Sequence, residues 1–135
     1  MTGKLARGIP MTAAHVRFET PADYFDRIYE FVKLVKDTGK IKKGSNEVTK
    51  SSERGQAKLI IMAEDVNPPE LLAHLPLICD EKEIPYCYVP SQQYLAAEAG
   101  LPDGSRTASI AIIDIGKGDE LFTEILDTIQ KIRNN

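Results

Sequence analysis

Residues 40–58, "KIKKGSNEVTKSSERGQAK", set a carboxamide, a carboxylate and an ammonium group close together, at Asn46, Glu47 and Lys50. Glu47 and Lys50 are three apart and share a face if the segment is helical. A carboxylate is wrong for binding backbone phosphate alone, but it accepts two N–H bonds from the pairing edge of a guanine. Asn46 donates and accepts toward base edges, and Lys50 donates to a guanine oxygen or to phosphate. Such readout needs bases held open in a wide groove, not a regular RNA duplex. Just upstream, Gly44 permits an unusual backbone angle. Ser45 or Asn46 can then cap a helix whose first turn offers free N–H groups and a positive dipole end, beside Lys42 and Lys43. The plainer alternative is structural. Asn46 then only caps, Glu47 complements the dipole, and Glu47–Lys50 is an exposed ion pair worth at most ~0.5 kcal/mol.

Charge is distributed to suit the first reading. The window holds six cations against two carboxylates, a local +4 in a chain of net −3, so the remainder carries −7. Salt screens charges beyond about 8–10 Å, so a compact basic site is compatible with an acidic protein. Lys40, Arg54 and Lys58 read individually as a solvated rim.

Other chemistry is poorly provided for. His15 falls on a predicted edge strand and His74 inside a predicted helix, neither with a metal partner nearby in sequence. Cys79 and Cys87 do not make a CxxC pair and read as buried thiols of a reducing cytoplasm. The turns "AEDVNPPE" and "VPSQQY" lack the glycines of a dinucleotide site, and no GxxxxGK[ST] occurs. "GKGDE" ends in carboxylates that repel phosphate. Asp65, Glu70 and Asp80 are ordinary on an acidic surface. No catalytic group, metal or cofactor is therefore expected. No apolar run approaches the roughly 18 residues of a membrane span, and "MTGKLARGIPMTAAHV" has no apolar core for a secretory signal.

The elements that must hold these residues alternate in type. At 135 residues, 42% hydrophobic and 27% charged, the chain suits one domain. Residues 1–14 read as a slightly basic tail and 15–135 as the domain. "HVRFET" (15–20) reads as an edge strand. Residues 21–39 follow as a helix, with Thr20 as N-cap, Pro21 first and Gly39 as stop; its apolar stripe, from Tyr24 and Phe25 to Val35, reads as core. A short helix is expected at about 46–54. "KLIIMA" (58–63), "YCYV" (86–89) and "ASIAIIDI" (108–115) read as buried strands. Between them lie a helix at 67–83, capped by Asn67 with Glu70 in a capping box and kinked at Pro76, and another at 92–99, capped by Ser91. Residues 101–107 form a loop, and 118–133 an amphipathic helix. This alternation predicts an α/β fold: a single-domain, three-layer α-β-α sandwich with a small central mixed sheet.

Residues 41–91, "IKKGSNEVTKSSERGQAKLIIMAEDVNPPELLAHLPLICDEKEIPYCYVPS", closely resemble the kink-turn RNA-binding family of the archaeal large-subunit ribosomal protein L-seven-Ae. The G-[ST]-N-E-x-[ST]-K segment, "AEDVNPPE" and "HLPLICDEKEIPY" carry the likeness, which extends more loosely to "ASIAIIDIG". The resemblance implies an α-β-α sandwich that binds kink-turns, helix–bulge–helix elements with tandem sheared guanine–adenine pairs. It implies a cytoplasmic, ribosome-associated protein with these partners: the 23S-type ribosomal RNA kink-turn, box C/D and H/ACA guide RNAs with their core proteins, and ribonuclease P RNA. By motif position, Asn46, Glu47 and Lys50 would contact the sheared pairs. Lys42, Lys43, Gly44 and Ser45 would follow the backbone. Asp65, Asn67 and Leu71 would line the other side, with Leu101 meeting an unpaired nucleotide and Arg106 adding charge. Two departures stand out. The loop reads "GLPDGSRT" where relatives carry small apolar residues or "GVSRP", and Gln92 replaces the lysine of "PSK". They leave open a protein-interaction module of the same fold with weak RNA affinity.

Overall fold

The computed structural model describes residues 20–133. Its sheet comprises β1 (Lys40–Lys43), β2 (Leu59–Ala63), β3 (Tyr86–Val89) and β4 (Ser109–Asp114), side by side in the order β1-β4-β2-β3. β2 and β3 run parallel, and β4 runs antiparallel to both of its neighbours. Around the sheet lie α1 (Phe25–Thr38), α2 (Ser45–Glu53), α3 (His74–Lys82), α4 (Gln92–Glu98) and α5 (Asp119–Arg133). α1 packs on α4 and α5, whereas α2 packs on α3 and β4. Every residue of β2 and β3 is buried, as befits strands covered on both faces. This is the expected α-β-α sandwich around a mixed sheet.

The stripe on α1 buries Ile28, Phe31, Val32 and Val35, and Phe31 stacks on Phe122 of α5 at 5.9 Å between ring centroids. Gly39 ends the helix for a reason beyond turn chemistry. A Cβ there would sit 2.1 Å from the carbonyl oxygen of Asp114, so only glycine lets the chain pass against the end of β4.

Several expected boundaries move. The tail 1–14, the strand 15–20 except Thr20, and His15 lie outside the described residues. β1 was not foreseen. Its sequence, Lys-Ile-Lys-Lys, offers one half-buried apolar residue, Ile41, and its exposed lysines suit a sheet edge. The helix expected from 21 opens instead as a 3-10 turn, Ala22–Tyr24, with no side-chain cap from Thr20. The helix expected over 67–83 divides likewise into a 3-10 turn, Pro69–Leu72, and α3. Pro68 occupies the cap position of that turn, and no side-chain cap is made, so Asn67 and Glu70 form no capping box. Pro76, expected inside a longer helix, is instead the third residue of α3, where its missing N–H has no intrahelical partner to lose. Ser91 caps α4 as expected, accepting from Tyr94 N–H at 3.1 Å.

Candidate nucleic-acid interface

The strand directions gather the candidate residues at one edge of the sheet. Lys43 at the end of β1 pairs with Ile110 near the start of β4, and Met62 near the end of β2 pairs with Ser109. Ala63 N–H donates to Ala108 carbonyl at 2.9 Å, and Glu64 N–H to Val89 carbonyl at 2.8 Å. The turn at Gly44, the turn after Ala63, the turn after Val89 and the loop before β4 therefore meet along one rim. At the usual strand spacing, four strands make it about 14 Å wide.

α2 stands at the β1 end of this rim. Val48, Ser51 and Ser52 are buried, and Ser52 Oγ donates to the Val48 carbonyl at 2.9 Å. That inner face turns Asn46, Glu47 and Lys50 to solvent. Gly44 takes the N-cap position at φ +90°, without a side-chain cap. Ser45 and Asn46, the expected caps, lie within the helix instead, because a φ of that sign favours glycine at the cap. Val48 N–H closes the first turn onto Gly44 carbonyl at 2.9 Å. A Cβ built on Gly44 meets nothing within 4 Å, so this corner is open to an approaching ligand. Ion pairs join Arg27 to Glu124, Lys36 to Asp37 and Arg133 to Asp80. Among the described residues Lys42, Lys43, Glu47 and Lys50 take part in none, so the Glu47–Lys50 pair of the plainer alternative is not formed.

Asp65, at the centre of the rim, and Asn67 just after it are exposed, as is Leu71 of the following 3-10 turn at 57%. Asp65 Oδ1 accepts from Gln92 N–H at 3.0 Å, and Gln92 Nε2 donates to Asp65 carbonyl at 3.1 Å. The loop at 101–107 is held at both ends, by Leu101 N–H on Ala96 carbonyl at 3.0 Å and Thr107 N–H on Gln92 carbonyl at 3.2 Å. Leu101 is half-buried, whereas Asp103 and Arg106 are exposed. Sequence reasoning noticed Gln92 only as a missing cation. Its ties to two turns had one local signal, its place directly after the Ser91 cap.

Burial pushes the Cys79 thiol up to about 12, with the Asp80 carboxylate adding to the shift, and burial raises Cys87 as well. Both are free and buried, and neither is a ready nucleophile. Burial likewise pushes Tyr29 up to about 12, reinforced by the Asp65 and Glu64 carboxylates. A cleft of about 450 Å³ between α3 and α5, lined by Cys79, Asp80, Ile84, Leu126 and Arg133 among others, includes none of the candidate residues. The candidate surface is an open rim, a shape suited to a macromolecule more than to a small ligand.

The model of the ribosomal protein L7Ae/L30e/S12e/Gadd45 family matches residues 26–122, from α1 into α5. The chain belongs to this family. The match takes in α2, all three turns of the rim and the loop before β4. Among solved structures, this family member is similar to the 15.5kD RNA binding protein of Giardia lamblia. The identity is 29% with a TM-score of 0.73, over 90% of this chain and 96% of that one. Among the described residues no helix is long and apolar enough to cross a membrane.

Proposed function

We propose that the protein is a structural RNA-binding protein that recognises kink-turns through the rim at the ends of β1, β2 and β3. The observation that carries this reading is the exposed trio Asn46, Glu47 and Lys50 at the uncapped start of α2. Family membership and the RNA-binding neighbour support it. In this reading Asn46, Glu47 and Lys50 contact sheared guanine–adenine pairs, while Lys42, Lys43, Gly44 and Ser45 follow the phosphates. Asp65, Asn67 and Leu71 face the opposite side of the bend, Leu101 meets an unpaired nucleotide, and Arg106 adds compensating charge.

No chemistry is required. A kinked RNA is one member of an ensemble, and a protein that contacts only that member shifts the population by its differential affinity. The bent RNA then serves as a template for further proteins. The sequence resemblance extends the proposal to an archaeal protein of the large ribosomal subunit in the cytoplasm, shared with box C/D and H/ACA guide-RNA particles and ribonuclease P.

The test is a gel shift with a short kink-turn hairpin against the same hairpin carrying Watson–Crick pairs in place of the sheared ones. Tight binding of the first and weak, salt-sensitive binding of the second is the expected result. Equal affinity for both would overturn base readout. Failure to bind either below micromolar, with protein partners recovered in pull-downs, would favour the interaction-module reading, which the altered loop at 100–107 and the acidic balance of the chain favour.

A further inference from the structure

We infer that Gln92 is a positioning residue that clasps the turn after β2 to the loop before β4 and so holds the central and far parts of the rim in register. Its backbone N–H reaches Asp65 Oδ1 at 3.0 Å, its side-chain Nε2 reaches Asp65 carbonyl at 3.1 Å, and its own carbonyl accepts from Thr107 N–H at 3.2 Å. Three segments distant in sequence thus meet on one residue. The two bonds to Asp65 engage both its side chain and its main chain, which fixes the direction of the carboxylate. Loops already held in place lose less freedom when a partner binds. The bond from Nε2 is one a lysine could also donate. Glutamine therefore keeps the clasp and omits the charge, so the rim binds phosphate with one cation fewer. The effect on RNA rests on the function proposed above, but the clasp can be measured in the free protein.

The experiment compares the full chain with Gln92→Met, equal in length without a donor, and Gln92→Lys, which restores one. Amide hydrogen exchange is read in the free protein, and affinity for the kink-turn hairpin is read at two salt concentrations. In Gln92→Met the amides of residues 92 and 107 should exchange about 2- to 12-fold faster, the worth of one hydrogen bond. Exchange in β2 and α1 should not change. RNA affinity should fall by a similar factor at an unaltered salt slope. In Gln92→Lys exchange should return to the parent rate, while the salt slope steepens by about one counterion. Unchanged exchange in Gln92→Met would overturn the clasp, as would a rise spread equally over β2 and α1, since that marks plain destabilisation. If the parent chain does not bind the hairpin, the RNA reading falls, and the exchange data still decide the clasp.

Discussion

Thr49 Oγ1 and His74 Nε2 stand 2.9 Å apart, a hydrogen bond that joins the helix bearing Asn46, Glu47 and Lys50 to the first residue of α3. Thr49 is one residue before Lys50, and His74 is three after Leu71, so the bond sets the distance between two parts of the rim. Thr49→Val and His74→Ala should each cost about 0.5–1.5 kcal/mol, and the double variant little more than either. Urea unfolding of the four proteins checks this, and strict additivity would show that the contact is not energetic.

Glu47 and Lys43 should fail in different ways. Glu47→Ala should lose about 1–3 kcal/mol of binding to a kink-turn hairpin and little of it to a hairpin without sheared pairs. Lys43→Ala should weaken both, and flatten the salt dependence by about one counterion. Titrations of both variants at two salt concentrations separate base reading from charge attraction. Matching behaviour would argue against the assigned roles.

Two glycines should differ when replaced by alanine. Gly39→Ala forces a Cβ onto the Asp114 carbonyl and should cost about 1–3 kcal/mol or more in stability. Gly44→Ala meets open space, but at φ +90° it carries backbone strain of about 1–3 kcal/mol. That strain is relieved by reshaping the turn before α2, so RNA affinity should fall along with the melting temperature. Thermal melts and hairpin binding of the two variants test the contrast.

Stability should decline in alkali. Thiols of the unfolded chain ionise near pH ~8.5, whereas burial raises Cys79 to about 12 and moves Cys87 the same way. Above the unfolded value the denatured chain has released protons that the native state keeps. Stability is thus full below that value and falls as pH rises toward the folded one, by up to about 1.4 kcal/mol per pH unit for each thiol. Tyr29, also raised to about 12, adds a later component from its unfolded value near ~10. Urea midpoints measured from neutral pH upward should drop, with a shallower slope in Cys87→Ala. A flat profile would contradict the assignment.

The buried strands and long helices were legible because their patterns are strong. "KLIIMA", "YCYV" and "ASIAIIDI" lie within a residue of β2, β3 and β4, and the 3.6-residue stripe located α1. β1 escaped because one isoleucine among three lysines gives no periodic signal, and the pairing that defines it lies some seventy residues away, in β4. The helix starts at 21 and 67 were misjudged because proline suits a 3-10 turn as well as a first α-turn. At the rim, the residue types of α2 were readable from their spacing. That Gly44, Asp65 and the loop at 101–107 share one edge was not, because it depends on β4 running against β1 and β2. Nor could spacing show that Glu47 and Lys50 stay apart, which is settled by side-chain conformation.

The place of β4 in the sheet has a consequence for biosynthesis. Among the described residues β1 pairs with no strand but β4, and the turn at Gly44 hangs from its end. A chain emerging from the ribosome can pair β2 with β3 once residue 89 is free, yet β1 finds its neighbour only after residue 114. The basic corner that begins at Lys42 is thus made early and set late, and a nascent chain carries its lysines through some seventy further residues before they acquire a fixed geometry.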